Sequence, residues 1–229
     1  MTDVAQMLRA EFKRARDPKK AAGAQAYMKS AMPYWGVATP EMRAICRRVF
    51  AAKTIPTASR WRAECLRLWR GAQFREERYA ALELTGCRRY RAWQTLETLP
   101  MYEELIVSGA WWDFVDLIAS RRLGPLLRQY PAQMHKKMLQ WSRAKNMWKR
   151  RSAILCQLSF KKDTDLDLLY ACLEPSLASK EFFLQKAIGW ALRQYAWTDP
   201  REVQRYVRAH ADRMSPLSKR EALKNCGGG

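Results

Sequence analysis

Residues 181–196 read EFFLQKAIGWALRQYA, and their apolar side chains return every three to four positions. This is the spacing of one face of an α-helix, which has 3.6 residues per turn. Strict alternation of apolar and polar residues, the mark of a strand, is absent from the stretch. It therefore predicts a helix that buries one face against neighbouring helices. The residues of that face are Phe183, Leu184, Ala187, Ile188, Ala191 and Tyr195.

The same helical period continues along most of the chain. Helix starts are indicated where a capping residue precedes a proline, as in Thr39-Pro40, Asp199-Pro200 and Ser215-Pro216. Ser108 is a further candidate cap. The pattern predicts about twelve to fourteen helices of roughly 8–17 residues, among them 74–90, 92–106 and 110–121.

Short connections between helices favour antiparallel neighbours. We therefore expect an all-α fold in which stacked antiparallel helix pairs form a curved α-solenoid. No linker or low-complexity segment divides the chain, so we expect a single domain over 1–226. The glycines at 227–229 are expected to form a flexible tail.

The charge balance is unusual for a chain of 229 residues. Forty-two Lys and Arg stand against twenty-two Asp and Glu, which gives a net charge of +20. Such a surplus repels itself in the compact state, and binding to a polyanion relieves that repulsion. Nucleic acid is the first candidate for the polyanion, and an anionic membrane surface is the second.

Several function classes find no support in the composition. No apolar run reaches 18 residues, and the N-terminal segment does not have the pattern of a secretory signal, so we expect a cytoplasmic location. The six cysteines have irregular spacing and no CxxC, which is typical of reduced core cysteines. With only two histidines, we expect no metal site and no cofactor.

The segment AWWDFVDLIAS, residues 110–120, places a large aromatic side chain on its polar face. At about 100° per residue, Trp111 falls on the apolar arc, whereas Trp112 and Asp116 stack one turn apart on the polar arc. Contact with a neighbouring helix is one explanation for Trp112. The other is a functional site that contains an indole and a carboxylate.

Trp190 lies on the polar side of the predicted helix at 181–196, together with Lys186 and Arg193. Gly189 interrupts that same side. A tryptophan in a basic stripe beside a residue without a side chain suits close approach of a sugar-phosphate chain. Aromatic packing at the surface explains Trp190 equally well.

A third residue on the wrong face is Arg151, in NMWKRRSAILCQLSF at 146–160. It points into the apolar arc, whereas Lys149 points away. A buried guanidinium without a partner costs several kcal/mol, so Arg151 needs a carboxylate or a phosphate. A structural ion pair and a functional contact are both open.

Two indole faces and one carboxylate suit the stabilisation of a cationic transition state. Cleavage of an N-glycosidic bond produces an oxocarbenium-like sugar, as glycoside hydrolysis does. Each tryptophan face attracts a cation by about 0.5–2 kcal/mol, and an ionised Asp adds a larger electrostatic contribution and can orient water. A purine alkylated at N3 or N7 is already cationic and leaves without a general acid.

Long stretches of the chain resemble the AlkD-type DNA alkylation-repair glycosylases. The resemblance is carried by EELIVSGAWWDFVD, NMWKRRSAILCQL, SKEFFLQKAIGWALRQYA and SPLSKREALK, and by AYMKS and GVATPEMRAICR near the N-terminus. It extends over about residues 3–225 in one order. It implies HEAT-like helical repeats, a concave basic surface for duplex DNA, and monofunctional hydrolysis of N3- and N7-alkylpurines.

The resemblance also implies roles for particular residues. The catalytic carboxylate falls on Asp116, the two active-site tryptophans on Trp112 and Trp190, and the neighbouring arginine on Arg151. The departures, Phe114 and the extra basic residues Lys149 and Arg150, give no reason to doubt catalysis. The side chains expected to contact DNA are Tyr27, Arg43, Lys149, Lys186, Arg193 and Lys219.

Three other functions compete with this hypothesis. A non-catalytic relative would recognise damaged or branched DNA, but such relatives tend to lose the carboxylate kept here as Asp116. A helical scaffold for RNA or acidic proteins explains the charge and not the tryptophans. A lyase with a lysine nucleophile lacks a helix-hairpin-helix turn. We expect a monomer that acts on double-stranded DNA with alkylated purines, without a membrane or an obligate protein partner.

Overall fold

The computed structural model describes residues 3–227, and within that range it is helical with no strand. The all-α prediction is confirmed. The α-helices of the described residues are α1 Val4–Arg14, α2 Pro18–Met28, α3 Thr39–Ala51, α4 Ala58–Arg70, α5 Arg75–Thr85, α6 Leu99–Gly109, α7 Trp112–Ile118, α8 Gly124–Gln129, α9 Pro131–Ser142, α10 Met147–Leu155, α11 Leu166–Leu173, α12 Phe182–Ala196, α13 Pro200–Ala209 and α14 Pro216–Ala222.

The chain forms two compact units, Met1–Met101 and Tyr102–Gly229. In the first unit α5 packs against α1, α3 and α4, around the fully buried Trp61 and Trp69. In the second unit α10 packs against α7, α9 and α12, and α12 packs against α13 and α14. The solenoid and the single domain over 1–226 stay predictions. The tail expected at 227–229 lies outside the described residues, apart from Gly227.

Two of the predicted helix starts are confirmed by their capping hydrogen bonds. Asp199 precedes α13, and its side chain accepts from the backbone N–H of Glu202 at 2.9 Å. Ser215 precedes α14 and accepts from the backbone N–H of Ser218 at 3.0 Å. In both cases the proline that follows needs no hydrogen-bond acceptor, because it has no N–H.

Two other caps were predicted wrongly. Thr39 is already helical, and Ala38 occupies the capping position of α3. Ser108 lies inside α6, where its hydroxyl donates to the carbonyl of Glu104, and it is not the residue that precedes α7. Trp111 stands before α7 and makes no side-chain capping bond.

The predicted helices 74–90 and 92–106 have different bounds in the structure. Helix α5 ends at Thr85, directly before Gly86, and residues Arg88–Trp93 form a 3-10 helix. Helix α6 begins at Leu99, so Pro100 lies in its first turn, where a missing N–H is tolerated. Gly86 and Pro100 were the local signals for these bounds.

All six cysteines are free, and Cys46, Cys65, Cys156 and Cys172 are buried. Among residues 3–227, no group of three or more metal-ligating side chains comes together. None of the described helices combines the length and apolar character needed to cross a bilayer.

Candidate active site

Helix α7 buries the face that its sequence predicts. Phe114, Val115 and Ile118 are fully buried, whereas Trp112 and Asp116 are partly exposed. Because residues four apart stack along a helix, the Trp112 and Asp116 side chains leave α7 on the same side. The polar arc expected from the sequence is therefore present.

The backbone before α7 separates the two adjacent tryptophans. Ala110 has φ of 43°, a left-handed conformation that costs a non-glycine residue of order 1–3 kcal/mol and is often found near functional sites. Trp111 follows in extended conformation, and its ring contacts those of Phe183 and Trp148, with centroids 5.4 and 6.4 Å away. Trp111 thus packs against two aromatic rings but is only partly buried, as Trp112, the first residue of α7, also is.

Asp116 and Arg151 form a two-pronged ion pair, although they lie 35 residues apart. Arg151 Nε donates to Asp116 Oδ1 at 2.7 Å, and Nη2 donates to Oδ2 at 2.7 Å. The third prong, Nη1, donates to the backbone carbonyl of Phe183 on α12. Parallel bonds of this kind fix the orientation of both groups. In the free protein, the partner that Arg151 requires is therefore a carboxylate.

The exposure of the pair shows which end faces solvent. The Arg151 side chain is 5% exposed and the Asp116 side chain 13%. The carboxylate is thus the more exposed of the two groups, although both are largely buried.

Burial raises the pKa of the Asp116 carboxyl above its usual range, because a low-dielectric environment disfavours the charged form. Hydrogen bonding and charge attraction from Arg151 oppose that rise, and the negative charge of Asp113 adds to it. Without Arg151, the pKa of Asp116 would be higher still. The arginine thus favours the ionised carboxylate.

Trp190 is partly buried against the core of the second unit and remains partly exposed. It lies seven residues beyond Phe183 on α12, which is two helical turns or about 10 Å along the axis. Of the other site residues, Asp116 contacts Arg151 directly, and Trp112 lies one turn from Asp116 on α7. A cage that includes Trp190 stays a prediction.

The basic stripe beside Trp190 is held by a carboxylate of α14. Lys186 Nζ lies 3.0 Å from Glu221 Oε1, and Arg193 Nη1 lies 2.7 Å from Glu221 Oε2. Lys224 pairs with the same carboxylate at 2.7 Å. Hydrogen bonds from Lys224 and then Lys186 hold the pKa of the 6%-exposed Glu221 carboxyl at about 2.

Gly189 has a different role from the one its sequence context suggests. A Cβ at this position would lie 2.4 Å from Glu221 Cβ and 2.9 Å from the Ser218 carbonyl oxygen. Gly189 is buried where α12 and α14 approach each other. The expectation that it admits a sugar-phosphate chain was wrong, since α14 already occupies that space.

Two of the expected DNA contacts lie in the first unit. Tyr27 on α2 is 78% exposed, although tyrosine is a large and partly apolar side chain. Arg43 on α3 donates from Nε to Glu83 at 3.0 Å, and its side chain is 43% exposed. A role in DNA binding stays a prediction for both.

Two more of the expected contacts have intramolecular acceptors in the second unit. Lys149 Nζ bonds Glu103 Oε1 at 2.5 Å, and Lys219 Nζ donates to the Ala211 carbonyl at 3.0 Å. The acidic partners Glu103 and Glu221 were not predicted from the sequence. Both lie within stretches that carry the family resemblance, but nothing local links them to a particular lysine.

These features define an all-helical, strongly basic protein with a guanidinium-braced carboxylate and partly exposed tryptophans. Residues 8–226 match the model of a family described as DNA alkylation repair enzyme, and the chain belongs to this family. It is therefore one of the enzymes of DNA alkylation repair.

A solved structure agrees with this membership. It is titled a predicted DNA alkylation repair enzyme from Enterococcus faecalis, and the likeness covers 93% of this chain and 98% of that chain. The two share 29% sequence identity with a TM-score of 0.82. Comparison with curated protein sequences gives no match.

Proposed function

We propose that this protein is a monofunctional DNA glycosylase that hydrolyses the N-glycosidic bond of cationic N3- and N7-alkylpurines in double-stranded DNA. In this proposal Asp116 stabilises the oxocarbenium-like sugar and orients water, and Trp112 and Trp190 present indole faces to it. Arg151 positions and ionises the carboxylate. The protein acts as a monomer without a cofactor.

The observation that carries the proposal is the braced Asp116 carboxylate. It is fixed by two hydrogen bonds from Arg151, yet it is the more exposed member of the pair. A group that is oriented before the substrate arrives stabilises developing charge without reorganisation, which is the main source of electrostatic catalysis. Each carboxylate oxygen keeps a free lone pair for water or for the sugar.

The reaction balances with water as the only co-reactant. The bond between C1′ and the purine nitrogen breaks, and its electron pair leaves with the base, which becomes neutral. The positive charge moves to C1′ and the ring oxygen of the deoxyribose, beside Asp116. Water adds to C1′ and releases a proton, which leaves an abasic site and a free alkylpurine.

The charge of the leaving group explains why one carboxylate is enough. An ordinary base leaves as an anion unless a general acid protonates it. Such an acid is a histidine, or a carboxyl group whose pKa the active-site cleft raises. An alkylated purine needs no proton. Specificity for cationic lesions follows directly from this chemistry.

The test is incubation of the protein with methylated duplex DNA, followed by chromatography of the released bases. Free 3-methyladenine and 7-methylguanine, with abasic sites in equal number, are expected. Tight binding to the methylated duplex without released base would instead indicate a non-catalytic protein that recognises damage. Strand cleavage at the abasic site by the purified protein would contradict the monofunctional assignment.

A further inference from the structure

A second basic feature of the second unit lies outside the ion pairs described above. An open cavity of about 660 Å³ is lined by three arginines, Arg143, Arg150 and Arg213, together with Ser179 and the neighbouring Glu174. One carboxylate among three guanidiniums leaves a surplus of two positive charges. The cavity is therefore a strongly electropositive recess.

The surplus belongs to two particular arginines. Arg213 Nη2 is paired with Glu174 Oε1 at 2.6 Å, so its charge is compensated. Among the described residues, neither Arg143 nor Arg150 has an acidic partner, and Nε of Arg150 is buried without a hydrogen-bond acceptor. Buried donors are nearly always satisfied in folded proteins, so Nε of Arg150 remains available to donate to water or to a ligand.

The cavity and the candidate active site share their structural elements. Arg150 and Arg151 are neighbours on α10, and Arg151 holds Asp116. Ser179 lies four residues before Phe183, whose carbonyl accepts from Arg151. A ligand in the cavity would therefore contact α10, the helix that also supplies the Asp116 partner Arg151.

We propose that this cavity binds a backbone phosphate of the DNA strand near the alkylated nucleotide. A phosphate diester accepts two parallel hydrogen bonds from a guanidinium fork, and arginine is well suited to this geometry. The cavity is larger than one phosphate group and is open to solvent, so a phosphate that is part of a longer strand can reach it from outside. This inference rests on the proposed function, because it places a phosphate beside the same site.

The test compares duplex binding by Arg143→Gln/Arg150→Gln with that of the wild-type protein across a range of salt concentrations. Undamaged duplex with 5′-hydroxyl ends is used, so that only backbone diesters are present. Loss of one phosphate contact makes the slope of log affinity against log salt shallower by about 1. Arg201→Gln, an exposed arginine on α13 that does not line the cavity, is the matched control and should keep the wild-type slope.

A second variant should act in the opposite direction. Glu174→Gln frees Arg213 from its ion pair and removes the one negative charge found among the described residues that line the cavity. It should therefore bind duplex DNA more tightly than wild type at the same salt concentration. Because Nε of Arg150 is buried, thermal melting of each variant checks that the fold is retained.

The possible results separate this inference from the proposed function. A wild-type protein without salt-dependent duplex binding would refute both. A steep wild-type slope that the double variant keeps would overturn the cavity assignment alone. The cavity assignment would also be overturned if the double variant kept the wild-type slope while inorganic phosphate raised the melting temperature of wild type and not of the variant. The ligand of the cavity would then be a free phosphate and not the DNA backbone.

Discussion

Replacement of Asp116 by Asn removes the negative charge and keeps the shape of the side chain. At about 4 Å and an effective dielectric constant of about 20, a unit charge stabilises a cation by about 4 kcal/mol. Each 1.4 kcal/mol of lost transition-state stabilisation slows the reaction about tenfold. We therefore expect Asp116→Asn to slow alkylpurine release roughly a thousandfold or more, since the charge of Arg151 then faces the sugar uncompensated.

The same substitution affects the fold, and the assay must separate the two effects. Removing one partner of a buried ion pair costs about 3–5 kcal/mol, and Arg151 is only 5% exposed. The carbonyl of Asn retains one acceptor for the guanidinium, so we expect lowered thermal stability but a folded protein at low temperature. Circular dichroism and thermal melting establish the folded fraction before any rate is compared.

Single-turnover release of 7-methylguanine from duplex DNA, with enzyme in excess, measures the chemical step. Duplex affinity should remain nearly intact, because Asp116 contributes no positive charge. Asp113→Asn, on the first turn of the same helix, is the matched control and should stay within about tenfold of wild type. A folded Asp116→Asn protein with the wild-type single-turnover rate would refute the role of this carboxylate.

Three further predictions concern the surrounding residues. Because burial raises the pKa of Asp116, the single-turnover rate should fall at acid pH with a midpoint above 3.8. Arg151→Gln should move that midpoint to higher pH, because the arginine lowers the pKa of the carboxyl. A midpoint unchanged by Arg151→Gln would contradict the positioning role. Trp112→Ala and Trp190→Ala should each slow release by about 10- to 1000-fold. The control Trp197→Ala, at a 74%-exposed position, should keep the wild-type rate. Equal rates in wild type and all three variants would refute the aromatic cage. The ionised Glu221 contributes stability above its unfolded pKa of 4.5, and that stability is lost as the pH falls toward its folded pKa of about 2. As the pH falls from 4.5 to about 2, the free energy of unfolding should therefore decrease by up to about 3 kcal/mol more in wild type than in Glu221→Gln. Parallel acid-unfolding curves for the two proteins would show that the carboxylate does not stabilise the fold.

The sequence alone determined the helices and their buried faces, because the helical period is a local property. Phe114, Val115, Ile118, Leu184 and Ile188 are buried as predicted. Trp111, Phe183 and Tyr195, which were predicted on the same apolar faces, are only partly buried. The end of α5 and the start of α6 were predicted wrongly, although Gly86 and Pro100 mark them in the sequence. The sequence also carries the resemblance that predicted membership of a DNA alkylation-repair family, and the match of residues 8–226 to the family model confirms that membership.

The tertiary structure decided which charges meet. Arg151 required an anion on sequence grounds, but only the packing of α10 against α7 selects Asp116, which lies 35 residues away. Likewise, the approach of α14 to α12 gives Lys186 and Arg193 a common carboxylate and explains Gly189. Such pairings depend on how distant helices pack, and no local pattern of residues contains that information.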